Sequence, residues 1–302
     1  MPNEIKAKFL ENLKSRFGSL RKLQRTRSLY EIGPKGVRVY IRYSKLHDRN
    51  EAFYGLRKED VQQLEGHASV LCFLWDGQDD PLVVPFSEYE DVFQSATPAA
   101  DGQYKVMVYP ESDATELYIA RAGRFNVEAH RGWNALENLI DQANVEHIPE
   151  FTHEQMQTLL GSIGHLKGYD IWVPQDNRAT LDWSLTNPFQ CRDTIPYGYE
   201  QVQGIVEEVD VVWIRRGASE LCALFEVEHS TPIYSALLRF NDIHLAAPSL
   251  RPRLSIVSNE ARRSLFVRQL NRPTFRMSGL SDLCNFLEYA NVYGWFNRTK
   301  PG

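Results

Sequence analysis

The stretch Val209-Asp210-Val211-Val212-Trp213-Ile214-Arg215-Arg216-Gly217-Ala218-Ser219-Glu220-Leu221-Cys222-Ala223-Leu224-Phe225-Glu226-Val227-Glu228-His229 reads as two apolar strands joined by a tight turn. Val209 to Ile214 and Leu221 to Val227 have the length and composition of strands buried on both faces. Gly217 supplies the backbone freedom a hairpin turn needs. Centring the hairpin on Ala218 puts Asp210 opposite Glu226 and Glu208 opposite Glu228, and equal parity sends all four carboxylates to one side of the sheet. A loop one residue longer would instead put Asp210 and Glu226 on opposite faces. Directly opposed Cβ atoms lie about 4.5–5.5 Å apart, and like charges so placed are destabilising. Acids are poor choices inside apolar strands, and burying them is costly unless something compensates the charge. A divalent cation is such a compensation, and Mg²⁺ takes a few carboxylates plus water. The competing reading makes Glu207, Glu208 and Glu228 ordinary solvated strand ends.

Outward from this hairpin the pattern is regular. Thr152, with Gln155 three residues on, has capping-box spacing. Met156, Leu159, Leu160 and Ile163 give the helix that follows, Thr152–Lys167, a buried face. A strand is expected at Tyr169–Val173, then a long polar connection from Asn177 to Gly204. Beyond the hairpin come a helix at Thr231–Leu245, a strand at Leu254–Ser258, and a basic helix with Arg262, Arg263 and Arg268.

In this order the chain resembles the PD-(D/E)xK, restriction-endonuclease-like nuclease superfamily over roughly residues 150–288: a helix bearing an acid, a strand, an Asp on a second strand, and an acid-x-Lys on a third. The helix acid is Glu154, the strand acid Asp210, and Glu226-Val227-Glu228 takes the last place. Val209 stands where the motif has Pro, and Glu228 where it has Lys. The segments Trp172-Val173-Pro174, Asp176-Asn177-Arg178, Phe225 to Thr231, Ile233-Tyr234-Ser235 and Arg272-Pro273-Thr274-Phe275 are also similar to bacterial endonuclease-like proteins of restriction and defence systems. The resemblance implies a mixed sheet flanked by helices. It also implies that Asp210 and Glu226, with the Val227 carbonyl, hold Mg²⁺, for which Mn²⁺ would substitute. The ion polarises a scissile phosphate and activates water. Glu228 becomes a second metal ligand or general base, and Glu154 steadies a metal-bound water. Arg239 is a candidate phosphate contact. His153 and His165 read as surface or packing residues. The aromatics Trp183, Tyr197 and Tyr199 of the long connection are expected to approach DNA.

The first half matches no familiar family and reads as an α+β, mainly antiparallel domain. A helix with one apolar stripe is expected over 3–24, with Gly18 as a potential break. Val37 to Ser44 alternates, with Arg38, Tyr40, Arg42 and Ser44 sharing a face. Arg neutralises phosphate and Tyr offers a stacking plane, so that face is a candidate DNA surface, although a plain solvated strand face reads equally well. Loops at Phe53–Lys58 and Arg121–Asn126 add Arg57, Lys58 and Arg124 to the candidates. The boundary is placed near Ile148-Pro149-Glu150, giving a recognition domain over 1–148 and a nuclease domain over 149–302.

The 302 residues carry 34 Lys+Arg against 39 Asp+Glu, a net charge of −5. The average hides segregation: residues 1–45 hold 12 Lys/Arg and 3 Asp/Glu, so they carry +9. No apolar run approaches the roughly 18–20 residues of a membrane helix, and the polar N-terminus is unlike a signal peptide. Cys72, Cys191, Cys222 and Cys284 are scattered, which argues for reduced thiols, a cytoplasmic setting and no zinc site. Phosphate-loop, dinucleotide-binding, GxSxG and HExxH motifs are all missing. The expected function is an Mg²⁺-dependent, restriction-type endonuclease acting on double-stranded DNA, a homodimer if it cuts both strands. The alternatives are an inactive nucleic-acid-binding module and a structural subunit of a defence complex.

Overall fold

The helical stripe that begins the chain ends earlier than its periodicity implies. In the computed structural model α1 spans Pro2–Phe17, Gly18 takes a left-handed conformation (φ 84°), and Leu20–Lys22 is already a strand, β1. The structure describes residues 2–23, 26, 28–33, 35–110, 114–145 and 148–300. The sequence Gly33-Pro34-Lys35-Gly36 predicts a turn before the strand at Val37, and Pro34 of that turn lies outside the described residues. The chain divides into two compact units, Met1–His147 and Ile148–Gly302.

In the first unit β2 (Leu29–Ile32), β3 (Val37–Tyr43), β4 (Leu46–His47) and β5 (Glu51–Arg57) are followed by α2 (Lys58–Gln62), β6 (Ser69–Leu74) and β7 (Leu82–Pro85). Helix α3 (Glu90–Ser95), β8 (Gln103–Pro110), β9 (Thr115–Ile119), β10 (Gly123–Asn126) and α4 (Asn134–Val145) complete it. One sheet runs β1-β2-β3-β6-β7, with only the β3/β6 pair parallel; the other, β10-β9-β8-β5-β4, is antiparallel throughout. Tyr40, Leu71, Phe73 and Val84 of the first sheet pack against Tyr54, Leu56, Val106 and Leu117 of the second. The opposite face of the first sheet, with Val37, Val39, Ile41 and Cys72, is covered by Phe9 and Leu13 of α1 and Leu136 of α4.

Strand β3 is therefore buried on both faces, which corrects the reading of its polar side as a DNA surface. Arg38 is only 3% exposed and pairs with Glu31, itself 4% exposed. Arg38 also donates to the Gln63 carbonyl. The Tyr40 ring is fully buried, and its hydroxyl donates to Asp60 Oδ2 at 3.1 Å. Arg42, nearer the strand end, stays partly exposed. Alternation marks two faces of a strand; here a second sheet covers the face that carries the arginines.

The second unit contains α5 (His153–Leu166), β11 (Tyr169–Trp172), α6 (Gln203–Val206), β12 (Val211–Arg215), β13 (Leu221–Val227), α7 (Ile233–Ala246) and β14 (Arg253–Ser258). It ends with α8 (Arg263–Leu270), α9 (Pro273–Ser278), α10 (Leu280–Leu283), β15 (Cys284–Glu288) and α11 (Tyr289–Thr299). The sheet order is β11-β12-β13-β14-β15, antiparallel for the first three strands and parallel for the rest. One face packs on α5 and α11 through Leu160, Trp213, Phe225 and Trp295. The other packs on α7 through Val212, Leu224, Leu237 and Phe240. The capping box expected at Thr152 and Gln155 is formed. Gly164 lets α5 approach the sheet, since a Cβ there would lie 2.5 Å from Trp213 Nε1 and 2.6 Å from Ile171 Cδ1. Both units are mixed α/β, and among the described residues no helix is long and apolar enough to cross a membrane.

The long connection is packed down more than expected. Trp183 meets the Phe189 ring edge-on at 5.0 Å, and the Tyr199 hydroxyl donates to Ser219 O and accepts from Leu221 N. Only Tyr197, 94% exposed, projects freely.

Candidate active site

The hairpin register brings the acids together at one end of the sheet, but not quite as its symmetry implies. Val211 pairs with Phe225, Val212 with Leu224 and Trp213 with Ala223, as centring on Ala218 requires. The register then shifts at Ile214, which pairs with Leu221, so the extra residue lies near the turn and leaves the acidic end intact. Asp210 immediately precedes β12, and its Oδ2 accepts from the Val227 N–H at 2.7 Å. This bond ties the Asp210 carboxylate to the x position of Glu226-Val227-Glu228.

Glu208 is not a strand residue facing Glu228. It follows α6 in a turn, exposed, and reaches Arg239 Nη2 at 3.3 Å. Nor do the acids share one face. Glu226 points towards α7, where Arg239 Nη1 donates to its Oε1 at 2.7 Å. Asp210 points towards α5, where the Gln157 amide donates to its Oδ1 at 3.0 Å and His153 Nε2 lies 3.4 Å away. Glu228, just past β13, accepts from the Thr231 hydroxyl. The Glu228 carbonyl accepts from Ser258 Oγ at 2.5 Å and from Arg262 Nη1 at 2.7 Å.

The carboxylates are close enough to act on one another. Glu226 is 3% exposed; burial first, and then the charge of Asp210, push its pKa up to about 8 despite Arg239. Burial also raises Glu228, with the Thr231 hydrogen bond opposing and Asp210 adding to the rise. His153 is raised mainly by its hydrogen bond to Asp210. Two acids raised beside a third is the electrostatic signature of a centre with more negative charge than its own cations neutralise.

Glu154, expected to face the metal, has a different place. Its carboxylate turns back to its own backbone N–H and the Thr152 side chain, which hold its pKa low. The α5 residues that reach the acids are His153 and Gln157, one helical turn apart and so on one face. In the sequence His153 reads as a surface or packing residue, and Gln157, which is 1% exposed, is not singled out. The one sequence signal for Gln157 is a long polar amide next to the apolar stripe Met156–Leu159–Leu160. His229 stacks on Tyr289 at 6.1 Å between centroids, with Nδ1 3.2 Å from its hydroxyl. Arg239 belongs to this centre, but its guanidinium is committed to Glu226 and Glu208.

Arg57 and Arg124 are exposed in the first unit; Arg124 pairs with Glu116 and lies 4.4 Å from the Tyr109 ring centroid. Lys58 opens α2, partly buried. The four cysteines are free thiols.

A family model, the type II restriction enzyme NmeDI C-terminal domain, matches residues 136–299. The chain belongs to this family. The match covers more than half of the chain and takes in α5, the whole five-stranded sheet with its acidic end, and all of α11. No curated protein and no solved structure matches the chain.

Among the described residues, no group of three His, Cys, Asp or Glu side chains converges as a metal cluster. Asp210 and Glu226 are nevertheless the kind of donor set Mg²⁺ takes, one or two carboxylates with the remaining positions left to water and phosphate. The proton forced onto Glu226 by burial and by Asp210 marks the charge that such an ion would neutralise. Glu228, turned to Thr231, stands outside this pair.

Proposed function

We propose that the protein is a restriction-type endonuclease that hydrolyses DNA phosphodiesters at the acidic end of the second unit's sheet, on a PD-(D/E)xK-like core. The observation that carries this reading is the bond from Val227 N–H to Asp210 in a member of a restriction-enzyme family. It joins the strand acid to the acid-x-acid segment across the hairpin, the arrangement the motif needs.

Asp210 and Glu226, with the Val227 carbonyl, would hold Mg²⁺, or Mn²⁺ in its place. The ion would supply Lewis-acid polarisation of the phosphate and a bound water of lowered pKa. Gln157 and the Val227 N–H fix the Asp210 carboxylate, so it meets its ligand without reorganising. Arg239 holds Glu226 in place and, with Glu208 exposed beside it, keeps its charge at the solvent edge where a phosphate would arrive. Glu228 stands where the motif has Lys; it brings no positive charge and is suited to accept a proton from the attacking water. The first unit, with the basic residues 1–45, grips the duplex, and two copies of the chain supply the two centres that a double-strand cut requires. The bacterial setting is restriction of foreign DNA in the cytoplasm.

Incubation with supercoiled plasmid tests this reading. Nicked or linear product that needs Mg²⁺ or Mn²⁺ and disappears in EDTA supports it. Intact plasmid, modified or unmodified, under every divalent cation refutes it. The glutamate at the lysine position favours a second reading, a noncatalytic DNA-binding module; DNA binding that persists in EDTA without any cleavage selects it.

A further inference from the structure

Strand register fixes what borders the acidic end of the second unit's sheet. Val211 pairs with Phe225, so Asp210 comes level with Glu226; Val227 pairs with Val257, and Ser258 with Glu288. Glu228, Ser258 and Glu288 therefore form the next row beside the Asp210–Glu226 pair. Three arginines reach this edge. Arg239 is committed to Glu226 and Glu208, and Arg263 to Glu288 at 2.7 Å. Arg262 differs: among the described residues it pairs with no carboxylate. Its Nη1 donates to the Glu228 carbonyl at 2.7 Å and its Nη2 to the Thr231 carbonyl, both uncharged groups. A guanidinium has five N–H donors, so these two bonds leave donors and the full charge available on a partly exposed side chain.

The position is an unfavourable one for a cation. Arg262 is the N-cap of α8 and Arg263 its first residue, so the charge stands where the helix dipole is already positive. An anion at this point would relieve the repulsion. The charge of Arg262 also reaches the centre. It holds back the rise in pKa of Glu228 and of Tyr289, and Asp210 acts on the same Tyr289 hydroxyl. Glu228 meanwhile stands where the motif has a lysine, and Arg262 sets a cation on the backbone of that residue.

We propose that Arg262 contacts the scissile phosphate of DNA and supplies the positive charge that Glu228 does not. This rests on the endonuclease reading above. Water adds to phosphorus as the bond to the departing sugar oxygen breaks; the water's proton passes to Glu228, and the departing oxygen takes one from solvent. Arg262 meets the charge that gathers on the non-bridging oxygens with its free N–H groups, while the two carbonyl bonds keep its fork in place.

The test compares the full chain with Arg262→Gln and Arg262→Lys on a fluorescent duplex in EDTA, from about 50 to about 200 mM salt. Arg262→Gln is expected to bind roughly 3–10-fold more weakly and to flatten the log-affinity against log-salt slope by about one. Arg262→Lys should keep the wild-type slope. In Mg²⁺ with DNA saturating, single-turnover cleavage should fall about 100-fold in Arg262→Gln and no more than about 10-fold in Arg262→Lys. A wild-type slope in folded Arg262→Gln would overturn the proposal whatever the cleavage rate, because Arg262 would then only brace segment 228–231. If Arg262→Gln does not fold, Arg262→Lys decides: bracing needs the two-pronged fork, so cleavage lost at a wild-type slope overturns the proposal. A flattened slope with wild-type cleavage would overturn the assignment to the scissile phosphate. A flattened slope in a chain that never cleaves would uphold the phosphate contact while removing the endonuclease reading.

Discussion

Replacing Glu226 by Gln swaps a buried carboxyl for a neutral group of nearly the same shape. Glu226 has an ordinary pKa of 4.5, raised in the fold to about 8 by burial and by Asp210. A raised carboxyl pKa means that the fold prefers the protonated form. Stability is therefore intact below pH 4.5 and lost as pH climbs from there through about 8. At 1.36 kcal/mol per pKa unit, the wild type forfeits about 2 kcal/mol at pH 6 and about 4 kcal/mol at pH 8. Glu226→Gln never ionises and escapes this loss, while Arg239 keeps Glu208 as a partner. The variant is expected to match the wild type near pH 4.5 and to exceed it increasingly up to pH 8, while cleaving no DNA. Denaturant unfolding in EDTA at pH 5, 6, 7 and 8 reads the difference directly. A variant no more stable at pH 8 than at pH 5, relative to wild type, would refute the reasoning; it would mean that Glu226 ionises in place, held by Arg239. Mg²⁺ should reverse the order at pH 8, because only the wild type gains from the ion.

Three further outcomes follow from the packing and the site. Gly164→Ala pushes a methyl into Trp213 and Ile171 and is expected to cost about 1–3 kcal/mol, read as a lower denaturant midpoint. Arg38→Met removes a buried cationic partner of the buried Glu31 and should cost about 3 kcal/mol; it should leave the salt slope of DNA binding unchanged where the protein is folded, since Arg38 is interior. Gln157→Ala removes a hydrogen bond that orients Asp210 and is expected to lower cleavage about 10–100-fold, whereas Glu154→Gln, whose carboxylate faces its own helix end, should change the rate little.

Much of the centre was legible in the chain because acids in apolar strands have few structural explanations. Asp210 within Val-Asp-Val-Val-Trp and Glu226 within Leu-Phe-Glu-Val-Glu declare themselves by composition. The Gly217 turn gave their relative register, which survives the shift near Ile214 because the shift falls between turn and Trp213. What lay outside strand symmetry was not legible. Glu208 sits before β12 begins, so parity no longer governs it, and Glu228 lies beyond β13, where Thr231 captures it. His153 and Gln157 reach Asp210 from a helix more than fifty residues earlier, a contact set by how α5 packs on the sheet through Trp213 and Leu160. Arg38 and Tyr40 were misplaced for a related reason: the period of two separates the faces of a strand, and only the fold reveals that both are covered.

The central claim is that the Asp210–Glu226 pair is a metal-dependent cutting centre. Its most direct measurement compares plasmid cleavage by wild type and Asp210→Asn in Mg²⁺, with DNA affinity of both measured in EDTA. The account predicts cleavage by the wild type alone, with DNA affinity of the two proteins equal within about twofold, because Asp210 holds the ion and not the duplex. Cleavage by Asp210→Asn at the wild-type rate would contradict it.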